Sequence, residues 1–295
     1  MIIVGNDKII EIFYHADNFT KVFDRYSKIN GLNGRKPTRE PQLTYSEIMT
    51  ITIVYHLSGM KNFEYYYRQI VLKSMKSYFP KAPTYERFVS LLPRICVLLM
   101  IFVHRNNARN MGYYYIDSKA IKVCHNKRIF FNKVFKGMAE RGKTSVGWFY
   151  GLKLFLIVNP FGEIIKVALT KGNVADNDSN LLKILFKNLK GKVFGDKGFI
   201  TKLRDEFFEK GLQIITKLRA NMKNKLMLLE DKIMLKKRGM IESIFDILTT
   251  ICDIEHTRHR SPQNAVTHLL AGLCAYNFLD RKPSVLNQNL LISNP

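Results

Sequence analysis

The stretch Phe149 to Leu169, FYGLKLFLIVNPFGEIIKVAL, decides the fold. Phe149 to Val158 is an apolar run bounded by glycines and turn residues, the pattern of a buried strand. Asn159-Pro-Phe-Gly162 supplies turn residues in the right place, and Glu163 to Leu169 resumes as a second strand, so the segment reads as a hairpin. Upstream, Tyr113 to Ile116 is another short strand. Downstream, Asp178 to Leu189 is an amphipathic helix that can cap itself with Asp178. Lys192 to Phe194 then reads as strand, Ile200 to Lys210 as helix and Gln213 to Thr216 as strand. A basic stretch leads into a last helix, RGMIESIFDIL, Arg238 to Leu248. Three strands, helix, strand, helix, strand, helix is an α/β order that implies a mixed sheet flanked by helices.

Residues 1–110 have a different texture and read as a smaller helical domain. Thr44-Tyr-Ser-Glu47 has the capping-box spacing, with Ile48, Ile51 and Tyr55 following at helical intervals. A second start lies at Pro83-Thr84, with Pro93 expected to kink the helix that follows. Between them, KNFEYYYRQIVLKSMKSYF (residues 61–79) interleaves aromatics with bases. It reads either as a helix packing its rings inward or as part of a DNA-binding domain. The expected division is therefore a helical domain at 1–110, a catalytic domain at 111–280 and a tail at 281–295.

A formal net charge of +23, from 47 Lys and Arg against 24 Asp and Glu, draws polyanions as partners. The longest apolar run, Ile95 to Val103, is short of the ~20 residues of a membrane span, and MIIVGNDKIIE lacks the pattern of a secretory signal. No membrane partner is expected. Cys96, Cys124, Cys252 and Cys274 are dispersed, with no C-x-x-C pair, and read as reduced thiols of a cytoplasmic protein.

Against this basic background three acids are candidate catalytic and metal-binding groups. Asp117 closes YYYID, Asp196 closes KVFGD, and Glu242 lies on the last helix. Two-metal phosphodiester chemistry needs a few carboxylates held on separate rigid elements, and Mg²⁺ takes one or two protein carboxylates with water and phosphate completing its shell. An Asp after an apolar run is also an ordinary turn residue. On the last helix Arg238, Glu242 and Asp246 stack at intervals of four; they read as a surface ion-pair ladder worth ~0.5 kcal/mol per pair, or as a metal ligand with an arginine aimed at phosphate. Asp246 rivals Glu242 as the third ligand.

From Asp117 to about Tyr276 the sequence resembles the DDE-type transposases of bacterial insertion sequences, closest to the group named for insertion sequence nine-eighty-two. The resemblance lies in YYYIDSKAIKVCHNKR, KGMAERGKTSVGWFYGLKL, GNVADN, GDKGFI, KKRGMIESIFDIL and IEHTRHRSPQNAVTHLLAGLCAYNF, with LTYSEIMTITIVYHLSGMKNF upstream. It implies a ribonuclease H-like core with Asp117, Asp196 and Glu242 as the acids holding two Mg²⁺ ions, Mn²⁺ substituting. The implied activity is cutting of element ends and joining of the 3′-hydroxyl to target DNA. Partners would be double-stranded DNA and a second copy of the chain on that DNA, in a bacterial cytoplasm at the nucleoid. Two departures stand out. Leu235 and Thr249 occupy the outer positions of the family's Tyr-Arg-Glu-Lys signature, whose centre Arg238 and Glu242 keep, and Phe155 falls where Lys-Leu-His is common. A catalytically decayed, DNA-binding relative is the alternative.

Expected DNA contacts are Lys122, Arg128, Arg141, Lys143, Lys197, Arg238, Arg258 and Arg260. Two motifs compete with this reading. Gly137 to Thr144, GMAERGKT, satisfies the phosphate-loop pattern of nucleotide hydrolases, which requires a helix after the loop; Ser145 to Gly151 is a poor helix. His256, His259 and His268 with Cys252 and Cys274 contain one zinc-like pair, but no second close pair completes four ligands.

Overall fold

The computed structural model describes residues 4–31, 41–104, 108–217, 226–255 and 259–286. Two compact units divide the chain: Met1–Val103 with Leu248–Leu279, and His104–Ile247 with Asp280–Pro295. The segment 248–279 thus groups with the N-terminal helices, whereas the sequence placed it in the catalytic domain.

The first unit is helical. Its helices are α1 (Asn6–Ile29), α2 (Tyr45–Leu57), α3 (Phe63–Tyr66), α4 (Tyr85–Leu91) and α5 (Cys96–His104), and a late helix, Pro262–Asn277, joins them. α2 starts where the capping box predicts: Thr44 Oγ1 accepts from the Glu47 amide and the Glu47 carboxylate accepts from the Thr44 amide. It is buried on all sides, with Ile48, Met49, Ile51, Ile53, Val54 and Tyr55 in the core. Residues Tyr67–Ser74 wind as a π-helix, and Tyr66, Tyr67, Val71, Met75 and Phe79 are buried. The rings of this segment therefore mostly pack inward. Pro93 sits in a 3₁₀ turn, Leu92–Ile95, between α4 and α5. Together these segments make a helical run, Tyr85–His104, long and apolar enough by length and composition to cross a membrane. The brevity of the run Ile95 to Val103 therefore excludes nothing. Within the unit, Leu91, Leu92, Ile95, Leu98, Leu99 and Val103 are core residues.

The second unit is built on six strands: β1 (Tyr113–Cys124), β2 (Glu140–Thr144), β3 (Gly147–Val158), β4 (Ile164–Lys171), β5 (Gly191–Gly195) and β6 (Leu212–Thr216). Their order is β2-β3-β1-β5-β6, with β4 also on β3. β3 is antiparallel to β1, β2 and β4, whereas β5 runs parallel to both β1 and β6. The expected hairpin is present. Asn159 closes it, its Oδ1 accepting from the amides of Phe161 and Glu163, and Gly162 takes the positive φ (+74°) that the turn requires.

Helices α6 (Ser179–Leu185), α7 (Arg204–Glu209), α8 (Leu229–Lys236) and α9 (Gly239–Thr250), the last as far as Ile247, complete the unit. Asp178 caps α6 by accepting from the Leu181 amide. Leu181, Leu182, Leu185, Phe186 and Phe207 pack with Ile116, Phe155 and Val193 in a core that covers one face of the sheet. Phe155, the departure noted above, is fully buried there, edge-on to Phe199 at 6.4 Å.

Several element boundaries differ from the sequence reading. β1 runs to Cys124 rather than Ile116, because its second half, though interrupted by Lys119 and Lys122, still pairs with β3. β2 is an added strand formed by a charged segment, ERGKT. Its Arg141–Thr144 portion is the core of the phosphate-loop pattern, and a hairpin leads from it straight into β3. The helix that a nucleotide loop requires is replaced by strand, as the poor helix-forming character of Ser145 to Gly151 predicts.

Candidate active site

Asp117 lies inside β1, opposite Leu156 of β3, and not at a strand end as the sequence suggested. Its side chain is 20% exposed. Oδ1 accepts from the Ser118 amide at 2.8 Å, and Oδ2 accepts from Arg238 Nη1 at 2.7 Å. Burial raises the Asp117 pKa above the usual carboxylate value; the Ser118 amide and Arg238 pull it back down, and the nearby Asp176 adds to the rise. A buried carboxylate in this state favours a cation beside it.

Arg238 stands in the turn between α8 and α9, one residue before the helix that carries Glu242. Its Nη2 donates to Glu242 Oε1 at 2.9 Å, so one guanidinium joins two of the three acids. The interval of four between Arg238 and Glu242 survives the break in the helix. Glu242 is 62% exposed at its side chain, against 18% for Arg238. Asp246, one turn further along α9, is also exposed.

Asp196 follows β5. Tyr115 pairs with Phe194 in the parallel β1–β5 ladder, and Asp117 and Asp196 each come two residues after that pair, on neighbouring segments. Asp196 is exposed and opens a 3₁₀ turn, Lys197–Phe199, without capping it. Gly195 makes the approach possible, since a Cβ there would lie 3.0 Å from the Ile116 side chain.

A fourth carboxylate reaches the same region. Asp176, from the loop between β4 and α6, accepts from Ser118 Oγ at 2.8 Å and from Lys153 Nζ at 3.2 Å. Lys153 also donates to the Val174 carbonyl, and a Cβ on Gly198 would come within 2.9 Å of Asp176 Oδ2. Asp176 thus sits against both the residue after Asp117 and the turn that carries Asp196. Its segment, GNVADN, matches the resemblance, but nothing in its spacing reveals a carboxylate partnered by a lysine from the middle of an apolar strand.

Among the described residues no group of three or more His, Cys, Asp or Glu is assembled to hold a metal ion. Asp117 and Glu242 meet through Arg238 rather than directly. The zinc-like set is likewise not assembled: His256 lies outside the described residues, and His268 instead has Nδ1 3.2 Å from His56 Nε2. Lys122, Arg128, Arg141, Lys143 and Lys197 are exposed. Arg260 is exposed too but belongs to the helical unit, and Arg258 lies outside the described residues.

Residues 107–262, more than half of the chain, match the family model described as Transposase DDE domain. The chain belongs to the DDE transposases. No curated protein and no solved structure matches it. The span of the match covers Asp117, Asp176, Asp196, Arg238 and Glu242, so the carboxylate network falls within the transposase domain. A DDE transposase acts on DNA, and the +23 charge suits such a polyanion.

Proposed function

We propose that this transposase cuts the ends of an insertion sequence and joins the freed 3′-hydroxyl to target DNA, with Asp117, Asp196 and Glu242 as its catalytic acids. The observation that carries this is the convergence on one arginine of a buried strand carboxylate and a helix carboxylate, Asp117 and Glu242, with Asp196 following the strand that pairs in parallel with β1. Carboxylate oxygens are the hard donors that Mg²⁺ prefers, with Mn²⁺ the usual substitute, and the Arg238 guanidinium marks where positive charge is already favoured. When bound, two such ions would activate the attacking oxygen and stabilise the leaving one in both in-line displacements.

The chain's own groups have distinct parts. The Ser118 amide fixes one oxygen of Asp117, leaving the other to exchange Arg238 for metal. Arg238, released from the acids, is placed to meet a phosphate bidentately. Lys153 neutralises Asp176, so the fourth acid orders Ser118 and the Asp196 turn without adding uncompensated charge. Exposed Lys122, Arg128, Arg141, Lys143 and Lys197 would track the DNA backbone.

The strand order β4-β3-β1-β5-β6, three antiparallel strands followed by two parallel to β1, supports a ribonuclease H-like sheet. The helical residues before it would serve DNA binding, with two copies assembling on the two element ends at the nucleoid of a bacterial cell. The test is strand joining by the full chain, using a duplex from the DNA flanking its own coding sequence and a supercoiled target plasmid. Joined product in Mg²⁺ and none in chelator supports the reading; DNA binding without nicking or joining supports the decayed alternative.

A further inference from the structure

We propose that Phe130 and Phe131, together with Val146 and Trp148, form an apolar wedge that enters the base stack of bound duplex DNA. The proposal rests on the DNA-joining function above and adds the means by which the basic surface distorts its substrate. After β1 the chain makes a 3₁₀ turn, Asn126–Phe131, which leaves Phe130 91% and Phe131 81% exposed. Val146, at the tip of the β2–β3 hairpin, is 93% exposed, and Trp148 beside it 58%. The two features are tied together, since Asn126 Nδ2 donates to the Trp148 carbonyl at 2.7 Å. The same region does bury other rings, Phe135 and Phe149 each at 3%. Phe130 and Phe131 are therefore held outside a small core that is already filled.

What surrounds the rings identifies the partner. Between residues 122 and 148 the only acid is Glu140, and it faces Lys171 at 3.7 Å. Lys127, Arg128, Lys133, Lys136, Arg141 and Lys143 are all exposed there, apart from Phe135, Ala139 and Gly142 buried beneath. Lys143 Nζ lies 5.7 Å from the Trp148 ring centre. Bases around exposed rings fit a ligand that is polyanionic outside and flat and apolar inside, which is the make-up of a nucleic acid duplex. A second copy would bring the same surplus of Lys and Arg to these rings and offers them no complementary charge.

Position follows from the strand. Cys124 ends β1 seven residues after Asp117, about 23 Å at ~3.3 Å per residue. The wedge thus lies beyond the end of the strand that carries Asp117, away from the acids along the chain.

The test uses the full chain and element-end duplexes with 2-aminopurine at successive positions. Brightening on binding, confined to one position or a few adjacent ones, is expected. The double variant Phe130→Ala, Phe131→Ala should abolish it and weaken binding about tenfold or more, with the salt dependence unchanged because the phosphate contacts remain. Phe130→Tyr with Phe131→Tyr should retain the brightening. Brightening at no position in a bound parent complex, or brightening unaltered in the double alanine variant, overturns the wedge and leaves the DNA-joining function standing. Failure to bind duplex at all overturns both. A Trp148 emission shift with phosphatidylserine vesicles but not with duplex assigns the rings to a lipid surface and overturns the proposal.

Discussion

Arg238 Nη1 lies 2.7 Å from Asp117 Oδ2, joining the turn before α9 to the middle of β1 across 121 positions of sequence. Both side chains are mostly buried, at 18% and 20% exposure. Truncating the arginine leaves a desolvated carboxylate without its cation, and Arg238→Ala is expected to destabilise the protein by about 2–3 kcal/mol at neutral pH. Urea unfolding measures it.

The same variant carries a pH signature. The Asp117 pKa is already raised by burial, and Arg238 is one of the influences holding it down, so removing Arg238 raises it further. A group whose folded pKa is raised favours the folded state fully below its unfolded pKa, about 3.9, and that contribution fades as pH rises through the folded value. The variant has more to lose over that climb. Its stability deficit against the parent should be small in acid, widen as pH rises above the unfolded carboxyl value and level off once pH has passed the raised Asp117 value of the variant.

Lys153→Met keeps the length of the side chain but removes the ammonium that contacts Asp176 and the Val174 carbonyl. Lys153 is 8% exposed, so the loss should cost about 2 kcal/mol. Nicking should fall with it, while affinity for duplex stays near that of the parent.

Gly151 occupies a place in β3 where a Cβ would lie 2.0 Å from the Ile121 carbonyl oxygen and 3.2 Å from the Lys122 Cα. Those are backbone atoms of β1 and have little room to yield. Gly151→Ala should cost about 3 kcal/mol. Gly239→Ala is the contrast: a Cβ there meets nothing within 4 Å, and the change should be neutral or stabilising by about 0.5 kcal/mol. Thermal melts of the two variants side by side check both.

Burial pushes the Cys252 thiol up to about 12 and raises that of Cys274 well above its usual value. Almost no thiolate forms at either near pH 8, and the thiolate is the nucleophile. Iodoacetamide should leave both unmodified in the folded protein, with the half-buried Cys96 and Cys124 reacting first. In urea all four should be modified, as read by mass spectrometry.

The β3–β4 hairpin was legible because its signals are local: an apolar run, an Asn-Pro-Phe-Gly turn and another run. The Thr44 capping box was legible for the same reason. β2 was not, since ERGKT has no strand-forming character of its own and is held by pairing with the long edge of β3. The place of Asp117 inside β1 was hidden by Lys119 and Lys122, whose charge broke the apolar pattern while the ladder continued. Arg238 and Glu242 could be paired from their interval of four. The further contact of Arg238 with Asp117, and the meeting of Asp176 with Ser118 and Lys153, depend on strand register and loop path, which local patterns do not encode.

Single-turnover nicking of an element-end duplex in Mg²⁺, parent against Asp196→Asn, tests the central claim most directly. Residues that only hold a metal's ligands in place are worth about 10- to 100-fold, so loss of a direct ligand should slow nicking by more than about 100-fold while duplex affinity is kept. Nicking by Asp196→Asn at the parental rate would contradict the assignment of these carboxylates as the catalytic site.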